Sequence, residues 1–90
     1  VGIVHGGIIA TLLDEVMARD VWDLSGPAAT AKLEIRYRHP APVGRPIEAR
    51  GRITAVRRGG RVFETTAVAR LDDGTVLAEA DGLVMLVDPQ

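Results

Sequence analysis

The sequence predicts an α+β domain in which one buried helix is followed by four strands. Two patterns carry that prediction. Apolar residues recur at three- and four-residue spacing over residues 8–23, and period-two alternation takes over from Ala29. A third observation bounds it: 90 residues make one domain, spanning 1–90, with no repeat, linker or low-complexity segment.

The elements follow in chain order. Residues 1–7 read as a loop running into a helix start. The chain opens without methionine in that loop, so further residues are expected upstream. In the helix, Ile9, Leu12, Leu13, Val16 and Met17 form one apolar face. Ile8, Ala10, Thr11 and Ala18 add little polarity elsewhere, which predicts burial on most sides. Glu15 and Arg19 form an i,i+4 pair on the most polar side. Ser25-Gly26-Pro27 stops the helix.

The first long strand covers residues 29–38. Ala29, Ala31, Leu33, Ile35 and Tyr37 alternate with Thr30, Lys32, Glu34, Arg36 and Arg38, so the first set is the expected buried face. The Pro- and Gly-rich stretch at 39–44 breaks it. A second strand runs over 47–56, with Ile47, Ala49, Gly51, Ile53 and Ala55 on one face. Arg57, Arg58, Gly59, Gly60 and Arg61 make a turn into a third strand at 62–71. Asp72-Asp73-Gly74-Thr75 is a hairpin signal leading to a fourth strand at 76–87. Short turns favour an antiparallel meander, with the helix laid on one face.

Composition excludes several functions. There is no cysteine, so disulfides, thiolate chemistry and Cys-based zinc sites are absent. The two histidines lie far apart and match no metal spacing. A net charge of −1 and three aromatic residues argue against nucleic-acid binding. No apolar run is long enough to span a bilayer, and no charged n-region precedes an apolar one, so the chain reads as cytoplasmic. A small apolar domain without staples gains stability by oligomerising.

Helix and strands in this order, with Val4-His5-Gly6-Gly7 opening the helix and Asp14 nine positions after His5, resemble the PaaI-like thioesterases of the hotdog superfamily. The resemblance extends downstream through residues 30–44, Gly60-Arg61 and the Asp73-Gly74 turn. It implies a hotdog fold, a helix wrapped by a curved antiparallel sheet, and hydrolysis of an acyl- or aryl-CoA thioester without a cofactor. Family members carry another strand, and often an asparagine, upstream of Gly2; this sequence has neither, as if it were truncated.

The residues fit that chemistry. A helix N-terminus offers free N–H groups and partial positive charge. Gly6 and Gly7 let a carbonyl approach the backbone, although two glycines also simply permit a tight turn. Asp14 shares a helix side with Ala10, Ala18 and Val21, where an ionised carboxylate is costly to bury unless it is paired or faces a cleft. The resemblance makes it the nucleophile or the general base, two roles the sequence does not separate. It also places Thr30 near the carboxylate, though a surface threonine on a polar strand face is the commoner case. His5 is expected to shape the site, and His39 to be a turn residue before Pro40. Arg57, Arg58 and Arg61 could meet the phosphates of CoA or be a solvated hairpin tip.

Gly6 and Asp14 are eight residues apart, roughly 12 Å along a helix. One helix cannot set both on one carbonyl. The expected site therefore joins Gly6 of one subunit to Asp14 of another, in a homodimer or homotetramer. Competing functions are a non-catalytic acyl-CoA-binding domain, a hotdog dehydratase or hydratase, and a bare oligomerisation domain.

Overall fold

The computed structural model describes residues 3–4 and 6–87. Their order is β1 (Ile3–Val4), α1 (Gly6–Ser25), β2 (Ala28–Tyr37), β3 (Ala41–Pro42), β4 (Ile47–Arg57), β5 (Val62–Leu71) and β6 (Val76–Leu86). A 3₁₀ turn at Arg58–Gly60 joins β4 to β5. The α+β class holds, and two added strands pair where loops were expected. β1 meets β3, Ile3 opposite Pro42 and Val4 opposite Ala41.

The four long strands form one antiparallel sheet in the order β2-β6-β5-β4. Only β4, β5 and β6 make a meander. The first long strand skips its sequence neighbour and pairs with the last, because residues 38–46 cross the fold through β3 instead of turning back tightly. This leaves β2 and β4 as the two edges.

The helix lies across this sheet through Ile9, Leu13, Met17 and Val21, all buried. They pack with Phe63, Leu71, Leu77 and Val84. Two glycines let it lie close. A Cβ on Gly82 would stand 2.9 Å from the Lys32 carbonyl oxygen and 3.1 Å from Met17 Cε. One on Gly51 would stand 2.6 Å from Asp20 Oδ2 and 3.3 Å from the Val16 carbonyl oxygen. The helix ends at Gly26, which adopts φ +103° and donates its N–H to the Trp22 carbonyl.

Burial on most sides is not found: Ile8 is 60% exposed, so the stripe covers one side only. No ion pair joins Glu15 to Arg19 among the described residues, consistent with two solvated side chains that gain little by pairing. The period-two reading of β2 also fails at its start. The register against β6 shifts between Thr30 and Lys32, so Ala31 is an extra residue in a bulge. Before the bulge Ala28 and Thr30 turn inward; after it Leu33 and Ile35 do. Ala29 and Ala31 are exposed, and so is Tyr37 at 55%.

Candidate active site

Gly6 opens α1 at the C-terminal end of β2. The Tyr37 hydroxyl donates to the Gly6 carbonyl oxygen at 2.9 Å. The Tyr37 ring lies 3.5 Å from where a Gly6 Cβ would stand. Just downstream, Ala41 and Pro42 pair with the segment leading into the helix. Together these contacts fix the helix N-terminus on the strand that follows the helix. Thr11 donates from Oγ1 to the Gly7 carbonyl at 2.9 Å, reinforcing the first turn. His5 lies outside the described residues.

Beside Gly6 opens a cavity of about 380 Å³, walled by Ile9, Tyr37, Pro40, Ala41 and Leu77. Its walls are mostly apolar, and one end is the helix N-terminus with its partial positive charge. His39 also lines it. Its Nδ1 contacts the Val76 carbonyl oxygen at 2.9 Å, which can only accept, so Nδ1 carries the proton in this contact. That bond ties the turn to β6, in keeping with a turn residue.

Asp14 follows Leu13 and so stands to one side of the buried stripe. Val16 and Asp20 lie over Gly51 of β4. At 3.6 residues per turn, Asp14 falls on the opposite side of the stripe, toward β2. Its Oδ1 is buried and has no hydrogen-bond partner. Thr30 is inward-facing on β2, and its Oγ1 is likewise buried without a partner. The bulge turns Thr30 from the polar face, where alternation had it, to the helix side of the sheet. Buried polar atoms usually find partners, so the unpaired Asp14 carboxylate oxygen and Thr30 hydroxyl stand out among the described residues.

A second unpaired carboxylate was missed by the sequence reading. Asp20 Oδ2 is buried without a partner over Gly51. Burial raises the Asp20 pKa above its ordinary value, and the neighbouring Asp23 charge raises it further. The signal was present: Asp20 stands four residues after Val16 and three after Met17, inside the apolar stripe.

Arg57, Arg58 and Arg61 are exposed at the β4–β5 tip. Arg57 is engaged by Glu64. Arg58 holds φ 53°, a left-handed backbone at the tip. Strand register fixes which end this is. Thr30 pairs with Val84, Val84 with Phe63, and Phe63 with Val56. The arginine tip therefore shares one end of the sheet with Thr30. Tyr37 pairs with Ala78 and Ala78 with Ala69, placing Gly6 and its cavity at the other end. Within one chain the structure keeps Gly6 apart from Thr30 and the arginines.

Known proteins resemble this chain in sequence and fold. The acyl-coenzyme A thioesterase THEM4 of Mus musculus is 32% identical over 89 residues, 99% of this chain and 38% of that protein. The chain thus spans well under half the length of this relative. A Bacillus halodurans protein solved with CoA is 31% identical, with TM-score 0.80, over 92% of this chain and 58% of that one. The PaaI protein of E. coli, from the phenylacetic acid degradation operon, matches with TM-score 0.89 over 99% of this chain and 63% of that one. At 16% identity, that likeness speaks for the fold alone. One helix on a curved antiparallel sheet is the hotdog fold. With the thioesterase superfamily model matching residues 1–78 as well, the chain belongs to that superfamily.

Proposed function

We propose that this domain hydrolyses an acyl- or aryl-CoA thioester, with Asp14 as nucleophile or general base. The observation that carries the reading is the pair of buried, unpartnered oxygens, Asp14 Oδ1 and Thr30 Oγ1, on the β2 flank. The mouse relative is an acyl-coenzyme A thioesterase and the Bacillus halodurans structure holds CoA, and both support the substrate class.

Either role of Asp14 balances. As nucleophile, its carboxylate oxygen bonds the thioester carbon, the C–S bond breaks, and water then cleaves the mixed anhydride. As base, it takes a proton from water as the water oxygen bonds the thioester carbon; the C–S bond then breaks and the departing sulfur takes that proton from the Asp14 carboxyl. In both, negative charge builds on the carbonyl oxygen, and the Gly6 N–H at the helix N-terminus is the donor placed to meet it. Thr30 Oγ holds the water or the substrate. Gly7 completes the turn that presents Gly6, and His5 shapes the loop before it. Arg57, Arg58 and Arg61 meet the phosphates of CoA.

The site spans two copies of the chain. β2 is an edge strand, able to pair with its own twin. A two-fold axis makes such pairing antiparallel, so one chain's Tyr37 and Gly6 come beside the other's Thr30. That apposition joins the two half-sites that a single chain keeps apart. Static light scattering should give the mass of at least two chains.

The test is turnover of acyl-CoAs of varied chain length and aryl-CoAs, with free thiol detected. Asp14→Asn should lose hydrolysis and keep binding, while Glu15→Gln should retain both. Tight binding of acyl-CoA by the unaltered protein with no turnover of any thioester would assign a binding domain instead.

A further inference from the structure

Tyr37 is the residue that the proposed reaction leaves unassigned. Its ring is half outside the fold, yet its hydroxyl reaches across to the first residue of α1. Within one chain the ring is 55% exposed, so nothing in the chain's own core demands a partner for the hydroxyl. The bond it makes instead goes to the carbonyl of the residue whose N–H is assigned to the thioester oxygen. The ring meanwhile packs against the open side of that same glycine.

Gly6 is the first residue of α1 and has no side chain of its own to anchor it against the strands, so contacts from elsewhere must hold its backbone and the N–H it carries. A donor that stabilises developing charge works only if it is aimed beforehand, because reorientation during the reaction costs what the bond returns. The Tyr37 hydroxyl holds the carbonyl end of Gly6 and the ring covers its open side, so the two contacts fix where the residue, and with it its N–H, sits. They come from the C-terminal end of β2, the strand whose other end bears Thr30. The strand proposed to pair with its twin therefore also sets the aim of the donor.

We propose that Tyr37 is a positioning residue: its hydroxyl and ring hold Gly6 so that the Gly6 N–H points at the thioester oxygen. The inference rests on the thioesterase reading above. Removing the hydroxyl loosens an interaction that matters most in the transition state, whereas removing the ring as well also opens the cavity that receives the substrate.

The test compares Tyr37→Phe and Tyr37→Ala with the unaltered protein. Tyr37→Phe should lower kcat roughly 3- to 10-fold, the effect of one hydrogen bond, and leave KM nearly unchanged. Tyr37→Ala should lower kcat further and raise KM. A second measurement does not depend on turnover. In an Asp14→Asn background, which binds without hydrolysing, the infrared stretch of the bound thioester carbonyl should lie below that of free substrate. Adding Tyr37→Phe should move it part of the way back, with circular dichroism confirming the fold of each variant. An unchanged kcat and an unshifted carbonyl in Tyr37→Phe, with Asp14→Asn inactive, overturn the positioning role and leave the reaction standing. No turnover of any thioester by the unaltered protein, with a bound carbonyl no different from free substrate, overturns the thioesterase reading and the role of Tyr37 with it.

Discussion

Asp14 and Asp20 sit on the same helix, and each buries one carboxylate oxygen without a partner. They differ in what surrounds them. Asp14 lies on the β2 flank, where Thr30 offers a second unpaired oxygen and the edge strand is open. Asp20 lies over Gly51 of β4, with the Val16 backbone beside it and Asp23 adding repulsion. An unpaired buried oxygen is therefore not a sign of function by itself. The neighbours differ: the proposed reaction uses the flank with a companion hydroxyl on an open edge, while Asp20 faces a glycine and stands near a second acid.

The largest expected effect breaks the two aspartates apart. Asp14→Asn should lower kcat by roughly 10²- to 10⁴-fold, as loss of a general base does, with substrate binding retained. Asp20→Asn should leave kcat near that of the unaltered protein. Steady-state kinetics on both variants checks this, and the reverse pattern would show that the wrong carboxylate was chosen.

A second effect concerns stability on the β4 side. Gly51→Ala forces a methyl against Asp20 and the Val16 carbonyl, and should cost about 1–3 kcal/mol. In an Asp20→Ala background the same change should cost less, because the closest clash is gone. Urea unfolding of the four proteins of that cycle measures the coupling.

A smaller effect lies at the far tip. Arg58→Ala or Arg61→Ala should raise KM for acyl-CoA severalfold with kcat nearly constant, the pattern of lost uniform binding. Equal KM for acyl-CoA and a short acyl-pantetheine would show that the tip does not read the nucleotide.

The smallest effect is the pH dependence due to Asp20. Its folded pKa is raised by burial above the unfolded value. Such a group contributes stability below the unfolded value, and the contribution is lost as pH rises through the folded one. Asp20→Asn should therefore raise Tm at neutral pH and give no advantage in acid, below the carboxylate range. Thermal scans at the two pH values decide it; an equal gain at both would mean that ionisation is not the cause.

Local pattern made much of this molecule legible. The buried stripe of α1 follows from spacing alone, as do the β4–β5 tip and the Asp73-Gly74 turn. Asp14 was legible through its distance from His5 and its apolar side. Pairing was not: β2 meets β6 across the whole chain, and nothing local records that. Nor was the bulge at Ala31, because one inserted residue inverts the faces before it while the letters still alternate. That inversion hid the inward turn of Thr30. Tyr37 read as a core residue because it keeps the phase of Leu33 and Ile35, but it ends the strand and is exposed, and its bond to Gly6 closes a gap of 31 positions that no motif spans.

The central claim is that a working site takes Gly6 from one chain and Asp14 from another. Gly6→Pro is the matching lesion: proline suits the first position of a helix, removes the N–H, and sets its ring against Tyr37. Gly6→Pro and Asp14→Asn proteins, each inactive by itself, are unfolded together in equal amounts and refolded. In a dimer of one chain of each kind, one of the two sites retains both Gly6 and Asp14. Random pairing should then restore about a quarter of the unaltered activity. A mixture as inactive as its parts, with mixed dimers shown to form, would place Gly6 and Asp14 of the same chain in one site and contradict the shared one.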